Sequence, residues 1–169
     1  MLNLLCPNVY LKSIYDLDLD KLKKNGIKGI ITDLDNTLIA WNQNQMIPKL
    51  DQWFNELKKE NFKICIVSNN SQERVNLFAD SLNIPAIPKA EKPRRKAFRL
   101  ALQELKIMPH EGAVIGDQVF TDVLGGNRMG LFTVLVLPVS EHEFIGTKFV
   151  RKVERHVLQA LKKKGMLPQ

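Results

Sequence analysis

The sequence predicts an α/β protein with a central parallel sheet of about five strands, flanked by helices on both faces. Three observations predict it. Short apolar, β-branched runs recur along the chain, each is followed by a stretch with apolar residues at helical spacing, and the connections are short. Strands that alternate with helices require parallel crossovers, and a sheet made that way is covered on both faces. There are no repeats, low-complexity tracts or linkers, so residues 1–169 are read as one domain.

The elements follow in order. Ile27 to Leu34 reads as a buried strand, and Pro48 to Glu60 as a helix with Leu50, Phe54 and Leu57 on one face. Phe62 to Val67 is a second strand, followed by a helix from Ser71 to Leu82. A short apolar piece, Ile84 to Ile87, precedes a helix over Arg94 to Lys106 with Phe98, Ala101, Leu102 and Leu105 at core spacing. Ala113 to Ile115 is a strand, Val119 to Met129 a helix, Thr133 to Leu137 the last strand, and Phe149 to Lys164 the last helix. In open sheets of this kind ligands collect beyond the carboxyl ends of the strands. Short polar residues just after each strand therefore become candidates for a site.

Composition narrows the partners. The net charge is +7, which favours anionic partners: phosphate compounds, nucleic acid or an acidic membrane surface. A solvated basic surface explains it equally well. Hydrophobic residues at 44% with charged residues at 25% exclude a disordered chain. Two cysteines, Cys6 and Cys65, give no disulfide framework or zinc site, which fits a reducing compartment. Neither a signal-peptide pattern nor a membrane-spanning run is present, so the expectation is a cytoplasmic protein, with peripheral attachment at the inner membrane face as a variant. No feature sets an oligomeric state.

Four strand ends carry the chemistry. The first ends in Asp33-Leu34-Asp35-Asn36-Thr37, the second in Ser68-Asn69-Asn70, and another in Gly116-Asp117, with Asp122 shortly beyond; Lys92-Pro93 precedes the third helix. Carboxylates two residues apart point the same way while the chain is extended. Gathered with Asp117, they repel one another unless a divalent cation neutralises them, and all-oxygen ligation suits Mg²⁺. A carboxylate nucleophile splits phosphoester cleavage into two steps, and a second carboxyl can shuttle the proton. Ser68 and Asn69 can donate hydrogen bonds to phosphoryl oxygens, and Lys92 can stabilise their charge. Taken singly, each residue has a plainer role: Asp33, Asp35 and Asp117 as turn formers, Ser68 as a helix cap, Lys92 as a solvated lysine. Gly125-Gly126-Asn127-Arg128-Met129-Gly130 lacks the Lys-Ser/Thr of a phosphate loop and reads as a helix ending and turn. His110, His142 and His156 have no paired metal spacing and read as surface or structural residues.

With these motifs the sequence resembles the haloacid dehalogenase (HAD) superfamily of phosphatases, whose fold is Rossmann-like. The resemblance implies that Asp33 is nucleophile and metal ligand, and that Asp35 is general acid and base with its backbone carbonyl on the metal. It implies Asp117 as a further Mg²⁺ ligand, Asp122 as support for the metal or for Lys92, and Thr37 and Ser68 as phosphate holders, with Lys92 bridging phosphate to Asp33. The flanks, Pro7-Asn8-Val9-Tyr10-Leu11 and Ala90-Glu91-Lys92-Pro93 among them, are similar to the YqeG type (subclass IIIA) and to mitochondrial and plastid phosphatidylglycerophosphate phosphatases.

Many such phosphatases insert a cap domain after the first motif or between the second and third. Leu38 to Ile47 and Leu82 to Lys92 are both too short to hold one, so an open site with a small flap around Trp41 is expected. An open site suits a large or membrane-displayed phosphorylated substrate, and phosphatidylglycerophosphate is the substrate the resemblance implies. A phosphoprotein, nucleotide or sugar phosphate stays open beside it, as does a basic module that binds RNA or protein. Leu2, Leu4, Leu5, Val9, Leu11 and Ile14 make the N-terminus apolar. The last helix sets Val150, Val153, Val157 and Leu161 on one face beside Arg151, Lys152, Arg155 and Lys162 to Lys164. That pattern fits peripheral contact with anionic lipid, or packing on the sheet. Arg94, Arg95 and Arg128 can meet a second phosphate or stand in solvent.

Overall fold

A computed structural model describes residues 2–140 and 145–168, without the side chains of 145–148. Six parallel strands form the sheet: β1 (Val9–Leu11), β2 (Gly29–Thr32), β3 (Lys63–Val67), β4 (Ala86–Ile87), β5 (Gly112–Gly116) and β6 (Phe132–Val136), in the order β1-β6-β5-β2-β3-β4. The helices are α1 (Leu19–Lys24), α2 (Pro48–Lys59), α3 (Gln72–Leu82), α4 (Arg95–Leu105), α5 (Leu124–Met129) and α6 (Ile145–Lys163).

The period-two pleat divides the apolar side chains between the two faces. Ile30, Ile64, Ile66, Ala113 and Ile115 join Leu50, Phe54 and Leu57 of α2 and Val75, Phe78 and Leu82 of α3 in one core. Ile31, Cys65, Val67 and Val114 point the other way, onto Ala97, Phe98, Ala101, Leu102 and Leu105 of α4. Phe54 and Phe98 are both fully buried, each worth about 1.5–3 kcal/mol of transfer free energy. The expected doubly covered α/β sheet is therefore present, and the described residues include no cap domain.

Sequence reading missed one strand. Val9–Leu11 pairs with β6, Val9 opposite Val134. Three residues at a sheet edge are too few to show alternation. Val9 and Leu11 pack on the larger core and Ile14 is buried, whereas Leu4 is exposed. Asn127 pins the preceding segment by donating to the carbonyls of Leu4 and Cys6 at 2.9 and 3.0 Å.

The expected helix ending and turn over Gly125 to Gly130 is present: α5 runs to Met129 and Gly130 closes it, left-handed at φ 72°. Within α5, a Cβ on Gly125 or Gly126 would fall 2.4 Å from the Phe98 ring or 2.3 Å from Val114 Cγ1, so both positions need glycine. On α6, Leu161 is buried and Val157 and Leu158 pack over Val119, Val123 and Leu135, whereas Val153 faces outward. No helix among the described residues is long and apolar enough to cross a membrane.

The strand order reverses around β2, which lies between β5 and β3. A crevice opens at the carboxyl ends there. Asp33, Ser68 and Asp117 follow those three strands, and Lys92 lies between β4 and α4.

Candidate active site

Asp33 directly follows β2 and is 8% exposed. Behind it the chain turns back on itself, with Asn36 left-handed at φ 60° and the Asn36 amide donating to the Ile39 carbonyl at 2.7 Å. Asn and Asp tolerate that conformation better than other non-glycine residues. Lys92 reaches in from the loop before α4, where Lys89 and Glu91 are also left-handed. Its ammonium donates to Asp33 Oδ1 and Asp122 Oδ1, both at 2.7 Å. Asn69 holds the Lys92 main chain, accepting from its amide at 2.7 Å and donating to its carbonyl at 3.4 Å.

After β5, a π-helical turn over Val119–Val123 carries Asp122 back beneath Gly116. The carboxylates of Asp33, Asp117 and Asp122, all buried, each bring an oxygen within 4.8 Å of the others. Burial pushes the Asp33 carboxyl up to about 8 against the pull of Lys92, with Asp122 and Asp117 adding to the rise. Burial likewise lifts Asp117 to about 6, opposed by Arg151. For Lys92 burial works the other way, but Asp122 and Asp33 outweigh it and hold the ammonium above the usual lysine range. Asn36 Oδ1, also buried and in the wall of the cleft, has no hydrogen-bond partner among the described residues. Crowded hard-oxygen donors, with the Asp33 and Asp117 carboxyls pushed upward, fit a divalent cation.

Gly116 is required by this arrangement. A Cβ on it would lie 2.1 Å from Asp122 Cγ and 2.3 Å from Asp122 Oδ2. Gly116→Ala is expected to displace Asp122 from Lys92 and to cut activity at least about tenfold, the effect of a misplaced site group. Steady-state assay of folded Gly116→Ala protein checks it.

Of the residues expected to hold phosphate, Ser68 lines the cleft and its hydroxyl accepts from the Asn70 amide at 3.2 Å. Thr37 is 1% exposed, and its hydroxyl lies between two carboxylates of the site, donating to Asp117 Oδ1 at 3.0 Å with Asp33 Oδ2 at 3.4 Å. Asn69 lines the cleft too, with its amide committed to Lys92. Asp35 lies at the cleft wall, outside the group of three, with its carboxylate engaged by Arg74 and Asn70.

Three participants escaped the sequence reading. Arg151 of α6 pairs with Asp117 Oδ2 and also donates to the Asp117 carbonyl, so it belongs to the site rather than to a basic outer face. Glu154, 2% exposed, accepts from the Phe120 amide at 3.0 Å and locks α6 onto the turn that carries Asp122. Arg74 is the third. All three lie on helices, where a charged residue ordinarily faces solvent. Arg95 and Arg128 are exposed, and Arg94 pairs with Glu91 at the surface. His110 and His156 are exposed as expected, and His142 lies outside the described residues.

The open cleft, of about 510 Å³, is walled by Asp33, Asp35, Asn36, Trp41, Ser68, Asn69, Asn70, Lys92, Gln118 and Thr121. An aspartate held by lysine at the switch point of a parallel sheet, over an acidic cluster, marks the class of α/β phosphoester hydrolases. The chain belongs to the haloacid dehalogenase-like hydrolases: the family model matches residues 11–130. Within that family it is a phosphatase. It is 48% identical over 94% of its length to "Probable phosphatase YqeG" of Bacillus subtilis (strain 168), covering 92% of that protein. It is 29% identical over 96% of its length to "Phosphatidylglycerophosphate phosphatase 1, chloroplastic/mitochondrial" of Arabidopsis thaliana, covering 49% of that protein. Its fold is similar to a crystal structure of the 3-deoxy-D-manno-octulosonate 8-phosphate phosphatase of Moraxella catarrhalis in complex with magnesium, phosphate and KDO. That likeness has a TM-score of 0.51 and 20% identity, over 85% of this chain and 93% of the other.

Proposed function

We propose that the protein is a Mg²⁺-dependent phosphomonoester hydrolase that works through an aspartyl-phosphate on Asp33 and removes the terminal phosphate of phosphatidylglycerophosphate. The observation that carries the chemistry is the pairing of the buried Asp33 with Lys92, at 2.7 Å, on the wall of an open cleft. The Arabidopsis relative supports the lipid. So does the absence of a cap, because an open cleft admits a headgroup still seated in a bilayer.

Asp33 attacks phosphorus, the bond from phosphorus to the leaving oxygen breaks, and that oxygen takes a proton from Asp35. Water then attacks phosphorus, the bond to Asp33 breaks, and the water proton returns to Asp35. Lys92 steadies charge on the phosphoryl oxygens while holding Asp33 in place. Asp33, Asp117 and Asp122 would hold Mg²⁺, with the main-chain carbonyl of Asp35 as a further ligand. Bound there, the ion supplies charge neutralisation to the phosphoryl group.

The cluster predicts a pH dependence. A carboxyl raised in the folded state favours the protonated form, so the folded state binds more protons than the unfolded chain. Without metal, Asp33 and Asp117 therefore cost increasing stability as pH rises from about 4 towards 8. Mg²⁺ is expected to raise Tm, and to raise it more at pH 8 than at pH 5. At about a hundredfold excess over Kd the gain is about 2.7 kcal/mol, or about 5–10 °C for a chain of this size. Thermal melts with and without Mg²⁺ at both pH values check it.

The test of function is phosphate release, with Mg²⁺, from phosphatidylglycerophosphate in vesicles, a phosphopeptide, nucleotides and sugar phosphates. Turnover of the lipid above all others is expected. Activity confined to soluble esters removes the lipid, and salt-sensitive RNA binding with no turnover of any ester removes the enzyme reading.

A further inference from the structure

Arg74 sits in the first turn of α3, after the Ser71 cap, and its guanidinium serves two separate pieces of chain. Nε donates to Asp35 Oδ1 at 2.6 Å. Nη1 donates to the Gln43 carbonyl at 3.0 Å and to Asn44 Oδ1 at 2.8 Å, and Nη2 donates to the Ala40 carbonyl at 3.1 Å. The side chain is 13% exposed and lies over the Phe78 ring, 5.6 Å from its centroid. The second Asp35 oxygen accepts from Asn70 Nδ2 at 2.8 Å, so both oxygens are held by fixed donors. The loop that Arg74 grips carries Trp41, which lines the mouth of the cleft and is 42% exposed.

An exposed ion pair contributes little, about 0–1 kcal/mol, and orients nothing. This one is sheltered, charge-assisted and forked across four acceptors, which fixes direction as well as position. A lysine has no planar fork and reaches such a set as a single point charge. Among the described residues, the loop over 40–44 brings Trp41 to the cleft, and Arg74 ties that loop to the Asp35 carboxyl.

We propose that Arg74 is a positioning residue that orients the Asp35 carboxyl towards the leaving oxygen and, with the same guanidinium, seats the Trp41 loop over the cleft. The proposal rests on the acid–base role given to Asp35 above. Its consequence depends on the leaving group only in the first half-step, which kcat/KM reports; the second, where Asp35 takes the water proton, is common to all esters. When the phosphorus–oxygen bond breaks, an alkyl leaving oxygen needs the proton from Asp35, whereas a nitrophenolate leaves without it. General acid catalysis is worth about 10²–10⁴-fold where it is needed.

The test compares 4-nitrobenzyl phosphate with 4-nitrophenyl phosphate, esters of similar size and different leaving groups, in Arg74→Gln and Arg74→Lys. Arg74→Gln is expected to lose about a hundredfold in kcat/KM on the benzyl ester and no more than a few-fold in kcat/KM on the phenyl ester. Arg74→Lys is expected to show the same split to a smaller degree, which keeps the test available if Arg74→Gln does not fold. In a Trp53→Phe background, where Trp41 is the remaining tryptophan, acrylamide quenching of Trp41 is expected to rise in both variants. Equal losses in kcat/KM on the two esters, no loss on either, or unchanged Trp41 quenching would each overturn the proposal. Phenyl ester hydrolysis that survives Asp33→Asn would instead sink the nucleophile reading, and the quenching arm, which needs no turnover, still reads the loop.

Discussion

Asp33→Asn is expected to lower kcat by about 10⁴-fold or more, the scale on which loss of a nucleophile registers, while the protein stays folded. Asparagine has the same shape and keeps an acceptor for Lys92, so the lysine retains two partners. It lacks the carboxylate that attacks phosphorus. Burial raises the Asp33 carboxyl to about 8, so ionising it in the metal-free site is costly. The variant should therefore melt no lower than the parent at pH 8 without Mg²⁺, and should gain less from added Mg²⁺. Steady-state assay and paired melts measure both. A variant that is inactive because it is unfolded would show itself in the melt.

The second large effect is that of Lys92→Met. Methionine fills similar volume but removes the cation that Asp33 and Asp122 share at 2.7 Å. Removing one partner from a buried ion pair leaves uncompensated charge and costs about 3–5 kcal/mol, a drop of roughly 10 °C in Tm for a chain of this size. Loss of a charge-stabilising donor at the phosphoryl group lowers kcat by about 10²–10³-fold. Mg²⁺ should restore part of the stability and little of the activity, because the cation in the cluster does not replace the ammonium beside the nucleophile. Melts and kcat with and without Mg²⁺ separate the two losses.

Much of this was legible in the sequence. Ile30, Ile64, Ile66 and Ile115 against Ile31, Cys65 and Val114 announce a sheet buried on both faces, and Leu50, Phe54 and Leu57 announce a helix upon it. Strand-end polar residues were legible for a related reason: Asp33, Ser68 and Asp117 each follow an apolar run that ends abruptly. The misses have physical causes. The edge strand Val9–Leu11 is too short for a period to appear. Arg74, Arg151 and Glu154 lie on helices, where a charged residue ordinarily faces solvent. Their direction is set by what the acidic cluster and the loop require. Thr37 shares a strand end with the carboxylates, and the turn at Asn36 brings its hydroxyl to Asp117 and Asp33, a pairing that spacing alone does not show. Spacing places a residue near a site, and the local backbone decides which atom it offers.

The central claim is that phosphate passes through Asp33, and one measurement addresses it directly. The enzyme is mixed with Mg²⁺ and 4-nitrophenyl phosphate, quenched within a turnover, and reduced with borohydride, which converts an aspartyl-phosphate to homoserine. Peptide mass spectrometry is then expected to find homoserine at position 33 and at no other aspartate. Release of phosphate with Asp33 unmodified, or homoserine at Asp35, Asp117 or Asp122, would contradict the account.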